Sequence, residues 1–310
     1  MAVKRAKIKA AGAAQSPWLG TAMFSPAVVY ILLLIAFPFC LAVFYAFSDA
    51  RIGTPIHFSD FWQHFVGLEN FRSIMQSPSF RKAVWNSIIF TVVAQIIVII
   101  CGNILAIALE KPFRGRGFVR FLILLPWVAP VSLGTIGWKW ILDSIYSVIT
   151  WVLVWLGFVR PYDTPMWLGE PTLAMASVIL VHCWRLIPFS TVILLAGRTA
   201  IPREIPEAAA IDGAGFWRRL FQIDLPMMRP ILSVVLLFGT IFTFTDMAVV
   251  YILTNGGPYD STQTLPMLAF TQGIAGSDLA AGAAISVFLV PVLVVIAYFM
   301  LRIARRTEVV

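Results

Sequence analysis

The sequence predicts an all-α polytopic membrane protein with six transmembrane helices. Hydrophobic residues make up 60% of the 310 positions and charged residues only 12%, which is about half the charged fraction of a typical soluble domain. The apolar residues lie in blocks of about twenty or more, the length that an α-helix needs to cross the hydrocarbon layer of a bilayer. Because that layer holds no water, each block has to satisfy its own backbone hydrogen bonds, which favours helices.

Six apolar blocks follow one another along the chain. They cover residues 23–47, 83–109, 121–142, 172–197, 231–253 and 280–301. The first block exceeds the apolar core of a signal peptide, about 7–15 residues, and is predicted to be a retained helix. Residues 1–22 then form a cytoplasmic tail, with a disordered start through Gln15, and residues 23–310 form one transmembrane domain. A further apolar stretch, 145–158, is too short to span and is predicted to be an interfacial or re-entrant helix.

The distribution of basic residues predicts the orientation of the chain. Of the 23 Lys and Arg residues, sixteen fall in the four segments that six spans place on one side, and six fall on the other. Basic residues accumulate in cytoplasmic loops, so both ends of the chain are predicted to be cytoplasmic. The same loops account for the formal charge of +8, and no nucleic-acid partner is predicted.

The sequence offers no catalytic or metal-binding constellation, so the chain is not predicted to be an enzyme. A phosphate-binding GxxxxGKS/T loop does not occur. His182, isolated within the fourth block, is interpreted as a packed core residue. Lys139 and Asp143 lie four residues apart and predict a local ion pair. The three cysteines lie inside apolar blocks without a CxxC pair and are interpreted as small core residues: Cys40, Cys101 and Cys183.

The longest predicted cytoplasmic loop, residues 198–228, carries the most specific pattern. Pro202 suits the first turn of a helix, where its missing N–H costs nothing. Glu204 and Glu207 suit the positive end of the helix dipole, and an alanine-rich run follows them. Gly213 then predicts the end of this helix.

A second short amphipathic helix is predicted over residues 216–223 of this loop. Phe216, Leu220 and Ile223 share one face of it, as their spacing of three to four residues requires. Pro226 is predicted to break the helix before the fifth span. The loop therefore contains two short helices joined by a glycine turn.

Several residues of this loop fit the pattern EAA–x3–G–x9–I–x–LP. The matching positions are Glu207, Ala208, Ala209, Gly213, Ile223, Leu225 and Pro226. The pattern resembles the EAA motif of bacterial binding-protein-dependent ABC importers. Thr-Asn-Gly-Gly-Pro at 254–258 and Trp-Arg-Leu-Ile-Pro-Phe at 184–189 are similar to segments of the carbohydrate-uptake subfamily, of the maltose or glycerol-phosphate type first permease.

The resemblance implies a type I ABC importer permease fold in the bacterial cytoplasmic (inner) membrane. It implies partners that carry the ATP and Mg that this chain does not bind: two ATPase subunits, beside a second, non-identical permease, an extracytoplasmic solute-binding protein and membrane lipid. In the family the EAA loop forms a coupling helix that docks on the ATPase subunit. The implied docking residues are Glu207, Ala208, Ala209, Asp212 and Gly213.

The resemblance also implies import of a sugar or oligosaccharide. An importer of glycerol phosphate or another polyol stays open as an alternative, as does a polytopic membrane enzyme or sensor anchor from another functional class. Glycerol phosphate would call for several basic residues near the pathway, and only Arg185 is evident there.

Two charged residues, Arg185 and Asp246, lie inside predicted spans. A charge in the bilayer costs at least about 2.5–3.5 kcal/mol, so each is expected to pair with the other or to line the translocation pathway. Sugars are held by aromatic faces together with hydrogen-bonding groups. The candidate pathway residues are therefore Trp184, Arg185, Phe242, Phe244, Thr245, Asp246 and Tyr251.

Overall fold

A computed structural model describes residues 17–54 and 60–306 of the chain, and this part is helical apart from isolated bridges. Four helical segments of the described residues are long and apolar enough to cross a membrane, and two bent helix pairs bring the number of spans up to six. The four are Met23–Ala46, Pro78–Glu110, Pro171–Thr199 and Leu279–Arg302. The all-α, six-span prediction is confirmed. The two bent pairs are Arg116–Val128 with Val131–Ile141 and Phe216–Met227 with Arg229–Phe244. The N-terminal disorder predicted through Gln15 lies outside the described residues.

The first span consists of α1 (Pro17–Ile31) and α2 (Phe37–Ala46), joined by a π-helical turn at Leu32–Ala36. Pro38 lies in the first turn of α2 and cannot donate to the preceding turn, and the wider π-helical turn accommodates its ring. Helix therefore begins at Pro17, within the segment that the sequence assigned to the N-terminal tail.

Two short helices, α3 (Phe61–His64) and α4 (Glu69–Gln76), lead to the second span, α5 (Pro78–Glu110). The extended backbone of Ser77, with φ −66° and ψ 127°, suits a residue that precedes proline. Span two therefore begins at Pro78 rather than at residue 83.

The third span is broken, and the prediction of one continuous helix over 121–142 is wrong. Helices α6 (Arg116–Val128) and α7 (Val131–Ile141) meet at 93°. Ala129 is extended, with φ −63° and ψ 142°, because the ring of Pro130 disfavours a helical conformation for the residue before it.

The apolar stretch after the third span forms only the short helix α8 (Val148–Trp155), with Ser147 accepting a hydrogen bond from the N–H of Thr150 at 3.1 Å. The predicted Lys139–Asp143 ion pair is not formed. Since α7 ends at Ile141, helical spacing no longer applies at Asp143. Its carboxylate instead accepts hydrogen bonds from the N–H groups of the two residues after Ser144: Ile145 and Tyr146.

The fourth span, α9 (Pro171–Thr199), packs along α5 to form the core of the molecule. Gly102 of α5 makes this approach close, because a Cβ there would lie 2.4 Å from the Ser190 hydroxyl. Buried apolar side chains fill the contact between the two helices: Phe90, Ala94, Val98, Val178 and Leu186.

The fifth span is also interrupted, so the continuous helix predicted over 231–253 is wrong. Helix α13 (Arg229–Phe244) ends before Asp246, and α14 (Ala248–Thr254) continues the chain. No proline lies at this break. The Asp246 carboxylate accepts the N–H of Val249 at 3.1 Å, which compensates for backbone bonding lost at the interruption.

The chain between the fifth and sixth spans contains a helix that the sequence did not predict. It consists of α15 (Leu265–Phe270) followed by a π-helical turn at Thr271–Ala275. The last span, α16 (Leu279–Arg306), packs against this helical stretch through a pair of glycines. A Cβ on Gly282 would lie 2.4 Å from the Cα of Gly273, so the two backbones are in direct contact.

Candidate functional site

Residues 198–228, here called the coupling segment, leave the end of α9 and form two helical units. The first is α10 (Glu204–Ile211). It starts two residues after Pro202, so the prediction that this proline lies in the first helical turn is wrong. The Pro202 carbonyl instead accepts the N–H of Ile205 at 3.2 Å.

Gly213 ends α10, as predicted. Its φ of +75° lies in the left-handed region that favours glycine. The N–H of Gly213 donates to Ala210, and the N–H of Ala214 donates to Ala209, at 3.1 and 2.9 Å. These two bonds form a Schellman motif, which satisfies carbonyls at the end of the helix.

The second unit runs as one bent helical path: α11 (Phe216–Arg219), a π-helical turn (Leu220–Asp224) and α12 (Leu225–Met227). Between this unit and α13 the chain bends by 73°. Pro226 was predicted to break this unit, but it lies in the first turn of α12, where proline is tolerated. The bend to α13 comes at Met228.

The five predicted docking residues lie on α10 and at its end. Ala209 packs inward and is buried, whereas the others are exposed: Glu207, Ala208, Asp212 and Gly213. Ile211 is 87% exposed. The outer face of α10 therefore carries small side chains and one exposed apolar side chain that does not pack on the rest of the chain. Such a surface can approach another protein closely.

A cluster of charged residues, here called the Arg198 ionic cluster, anchors the coupling segment to the spans. Arg198, in the last turn of α9, has a side chain only 2% exposed. Its Nε donates to Glu110 Oε2 at 2.8 Å and its Nη2 to Asp224 Oδ2 at 3.0 Å. Arg219 Nε lies 3.5 Å from the same oxygen of Asp224.

Sequence reasoning missed this cluster. Arg198 and Arg219 entered only as basic residues that set the orientation, and their partners were not considered. Glu110 and Asp224 lie 88 and 26 residues from Arg198, so no local spacing rule connects them. The usable signal was two carboxylates among the apolar residues at the ends of helices.

A membrane polar cluster joins the fourth and fifth spans. Asp246 Oδ2 accepts a hydrogen bond from Arg185 Nη2 at 2.7 Å and another from His182 Nδ1 at 2.8 Å. Arg185 follows His182 by three residues, so the two side chains share one face of α9. Of the two options left open by the sequence, pairing of Arg185 with Asp246 is present.

His182 is a packed core residue, as predicted, but it is not isolated. The side chain is fully buried, and its Nε2 lies 2.9 Å from the Thr243 hydroxyl. The same hydroxyl oxygen also accepts a hydrogen bond from Nε2 of Gln95, which lies on α5, at 3.1 Å. A Cβ on Gly239 would lie 2.5 Å from the Gln95 amide, so glycine leaves the room that Gln95 needs.

The carboxylate fixes the imidazole of His182 in one orientation. Asp246 is an acceptor only, so Nδ1 carries the proton that it donates. Three spans thus meet at a hydrogen-bonded network that replaces water inside the bilayer. The missed signal was a set of polar residues recurring within apolar spans, Gln95, His182 and Thr243.

The remaining predicted pathway residues divide by exposure. Trp184 and Phe242 are half-buried in aromatic contacts, with Trp184 5.6 Å from the Trp138 ring and Phe242 5.6 Å from Phe189, centre to centre. Phe244 is buried in the core, so it is not brought to the same surface. Thr245 and Tyr251 are exposed, at and after the break in the fifth span.

Comparison with known proteins shows which family this chain belongs to. Residues 98–309 match the family described as binding-protein-dependent transport system inner membrane component. The sulfoquinovosyl glycerol transport system permease protein SmoG of Agrobacterium fabrum is 31% identical over 292 residues, 94% of this chain and 91% of that protein.

Two further similarities extend the comparison. The trehalose/maltose transport system permease protein MalF of Thermococcus litoralis is 34% identical over 223 residues, 72% of this chain and 74% of that protein. A chain in the crystal structure of a bacterial ABC transporter involved in the import of the acidic polysaccharide alginate shares the fold, with a TM-score of 0.77 at 21% identity, covering 93% of this chain and 96% of that one. The chain therefore belongs to the family of binding-protein-dependent transport system inner membrane components, and it is a permease subunit of an ABC importer, not an enzyme.

Proposed function

We propose that this permease forms half of the translocation pathway for a sugar or oligosaccharide delivered by an extracytoplasmic solute-binding protein. Its partners are a second, non-identical permease and two ATPase subunits, which bind ATP and Mg. The relatives named for sulfoquinovosyl glycerol, trehalose/maltose and diacetylchitobiose transport support a carbohydrate substrate.

The observation that carries the proposal is the coupling segment. Helix α10 presents a bare docking surface around Ile211, and the same segment is bonded to the ends of α5 and α9 through Arg198. A subunit that docks on α10 can therefore act mechanically on two spans. This arrangement suits a permease whose conformation is shifted by ATP binding to a neighbour.

The orientation follows from the same assignment. Docking on a cytoplasmic ATPase places residues 198–228 in the cytoplasm, in agreement with the excess of basic residues in this loop. Both chain ends then lie on that side of the bacterial cytoplasmic membrane. The break at residues 245–247 lies in the opposite half of the membrane.

The pathway includes the face beside this break. Trp184 and Phe242 supply aromatic surfaces, which suit the apolar faces of sugar rings, while Thr245 and Tyr251 supply exposed hydroxyls. Arg185, which is half-buried, contributes polar atoms beside them, and the buried carboxylate of Asp246 holds its guanidinium in place.

Glycerol phosphate is the second candidate substrate, because the sn-glycerol-3-phosphate transport system permease protein UgpA of Pectobacterium atrosepticum is 28% identical over 293 residues. A phosphate dianion requires basic groups whose charge is not already balanced. Arg185 is paired with Asp246 at 2.7 Å, which disfavours this alternative.

Ile211→Asp tests the proposal. Ile211 is 87% exposed, so the change leaves the fold of this chain intact while placing a charge in the docking surface. We expect the ATPase subunits to dissociate from the purified importer and ATP-driven sugar uptake into vesicles to fall by about tenfold or more.

The matched control is Ile52→Asp, an exposed isoleucine in the segment between the first and second spans. The control should keep the ATPase subunits bound and the uptake near that of the parent importer. Purification of the unchanged chain without any nucleotide-hydrolysing subunit, from cells that express its genomic neighbours, would contradict the proposed function.

A further inference from the structure

Arg198 and Glu110 of the Arg198 ionic cluster lie outside the EAA pattern, and Asp224 occupies a position that the pattern leaves unspecified. The docking surface on α10 does not use these residues. Arg198 precedes α10 by several residues, and Glu110 belongs to a different span. We propose that Arg198 is a positioning residue that transmits displacement of the coupling segment to the second and fourth spans together. This inference rests on the proposed function, because it assumes that the segment is displaced by an ATPase subunit.

Arg198 sits at a junction of spans. The residue before it, Gly197, packs so closely on α13 that a Cβ there would lie 2.9 Å from Ile231 Cγ2. Higher in the membrane, Gly102 brings α5 against Ser190 of α9 with equally little space. Because closely packed helices move as units and not by deformation, a force applied at Arg198 reaches α5, α9 and α13.

The chemistry of the cluster requires arginine. One planar guanidinium uses Nε for Glu110 and Nη2 for Asp224, so two carboxylates from different elements are held by a single rigid group. A lysine ammonium is a point charge on a flexible stem and cannot reproduce this fork. Arg198→Lys therefore keeps the charge but loses the rigid bridge.

Burial makes the bridge stiff. The side chains of Arg198 and Asp224 are 2% and 5% exposed, so water does not compete for their hydrogen bond, and charge-assisted bonds in such surroundings are strong. Asp224 ends the π-helical turn that follows α11. Displacement of α10 and α11 thus reaches α9 through one side-chain contact as well as through the backbone.

The experiment uses the complete importer in lipid nanodiscs for ATP hydrolysis and in vesicles for uptake. For Arg198→Lys we expect import per ATP hydrolysed to fall by roughly fivefold or more, the usual scale of coupling between sites. ATP hydrolysis should continue, because α10 and its docking surface are unchanged. The matched control is Arg218→Lys, since Arg218 is exposed and donates a hydrogen bond to Gln222 in the π-helical turn that follows α11.

A second readout does not depend on transport. Spin labels at Phe221→Cys and Lys111→Cys, both exposed positions, report the distance between the coupling segment and the end of α5. In Arg198→Lys this distance distribution should broaden, whereas Arg218→Lys should leave it unchanged.

The two readouts separate the possible failures. If the unchanged importer shows no ATP-driven uptake, the proposed function fails, and the label distances still decide whether Arg198 holds the segment. If Arg198→Lys keeps its import per ATP, or loses it with unchanged label distances, the positioning role is overturned. Should Arg198→Lys not assemble, Glu110→Gln breaks the same bridge from the α5 side and leaves the Asp224 bond in place.

Discussion

The membrane polar cluster and the Arg198 ionic cluster both place an arginine against a buried aspartate, but their centres carry opposite charges. In the membrane the centre is the carboxylate of Asp246, which serves two donors from α9. At the end of α9 the centre is the guanidinium of Arg198, which donates hydrogen bonds to two carboxylates from different elements. The first arrangement joins spans to one another inside the membrane, and the second joins the ends of two spans to the coupling segment.

The two clusters also differ in the number of carboxylate partners that each arginine has. Arg185 has one carboxylate partner within the described structure, so removal of Asp246 leaves it without a counter-charge inside the bilayer. Arg198 retains Glu110 when Asp224 is removed, and the side chain of Glu110 is 36% exposed. We therefore expect the membrane cluster to be the more sensitive of the two to loss of a carboxylate.

Asp246→Asn should have the largest effect. It leaves the half-buried side chain of Arg185, 18% exposed, without its partner, and the typical cost of about 3–5 kcal/mol for a fully buried pair is therefore an upper limit. It also weakens the bond that orients His182. Thermal unfolding of the purified chain, followed by fluorescence-detected size-exclusion chromatography, should show a much lower midpoint than for the parent.

The double variant Arg185→Gln, Asp246→Asn removes both charges of this pair and provides the control. It should recover part of the lost stability and of the lost uptake, because neither charge is then left buried alone. A double variant that performs no better than the worse single variant would argue against the pair as the source of the effect.

Asp224→Asn should have a smaller effect. Arg198 keeps its bond to Glu110, so we expect a loss of about 1–3 kcal/mol, the range for a hydrogen bond to a charged group. The same unfolding assay measures it, with Asp212→Asn as the matched control, since Asp212 is exposed in the same segment. A loss equal to that of Asp246→Asn would show that redundancy does not distinguish the clusters.

Removal of the exposed carboxylate of Asp143 should have the smallest effect on stability. Hydrogen bonds from the N–H groups of Tyr146 and then Ile145 lower the pKa of Asp143 below its ordinary value. A lowered folded-state pKa stabilises the fold above the unfolded pKa, about 3.9, and this contribution disappears as the pH falls through the folded-state pKa. Asp143→Asn should therefore reduce stability slightly at neutral pH and leave a shallower decline below about pH 4. An identical pH profile for both proteins would count against these bonds.

The spans were predictable because the length of an apolar block is set by the thickness of the bilayer. The positions at which two of the spans break were harder to predict. The bend at Ala129 carries a visible sign in Pro130, whereas the break at Asp246 depends on a side chain that bonds to the backbone. Helix α15 was missed because polar residues around it, such as Gln263 and Gln272, lower the mean hydropathy of this stretch.

The site residues also differed in how well they could be predicted, because some depend on local constraints and others on the packing of distant helices. The glycine end of α10 follows from local backbone preferences, so Gly213 could be placed from the sequence. Burial in the bilayer made a partner for Arg185 necessary, which left few choices. Arg198 had no such constraint, because an arginine at the cytoplasmic end of a span is common, and its partners became evident only from the packing of the helices.

The contact between Gly273 and Gly282 has a practical consequence. With no side chain between the two backbones, the separation of α16 from the helical stretch before it is set by main-chain atoms and cannot adjust as side chains repack. Probes attached nearby on these two elements should keep a constant separation throughout the transport cycle. They would provide an internal reference against which movements elsewhere in the permease can be calibrated.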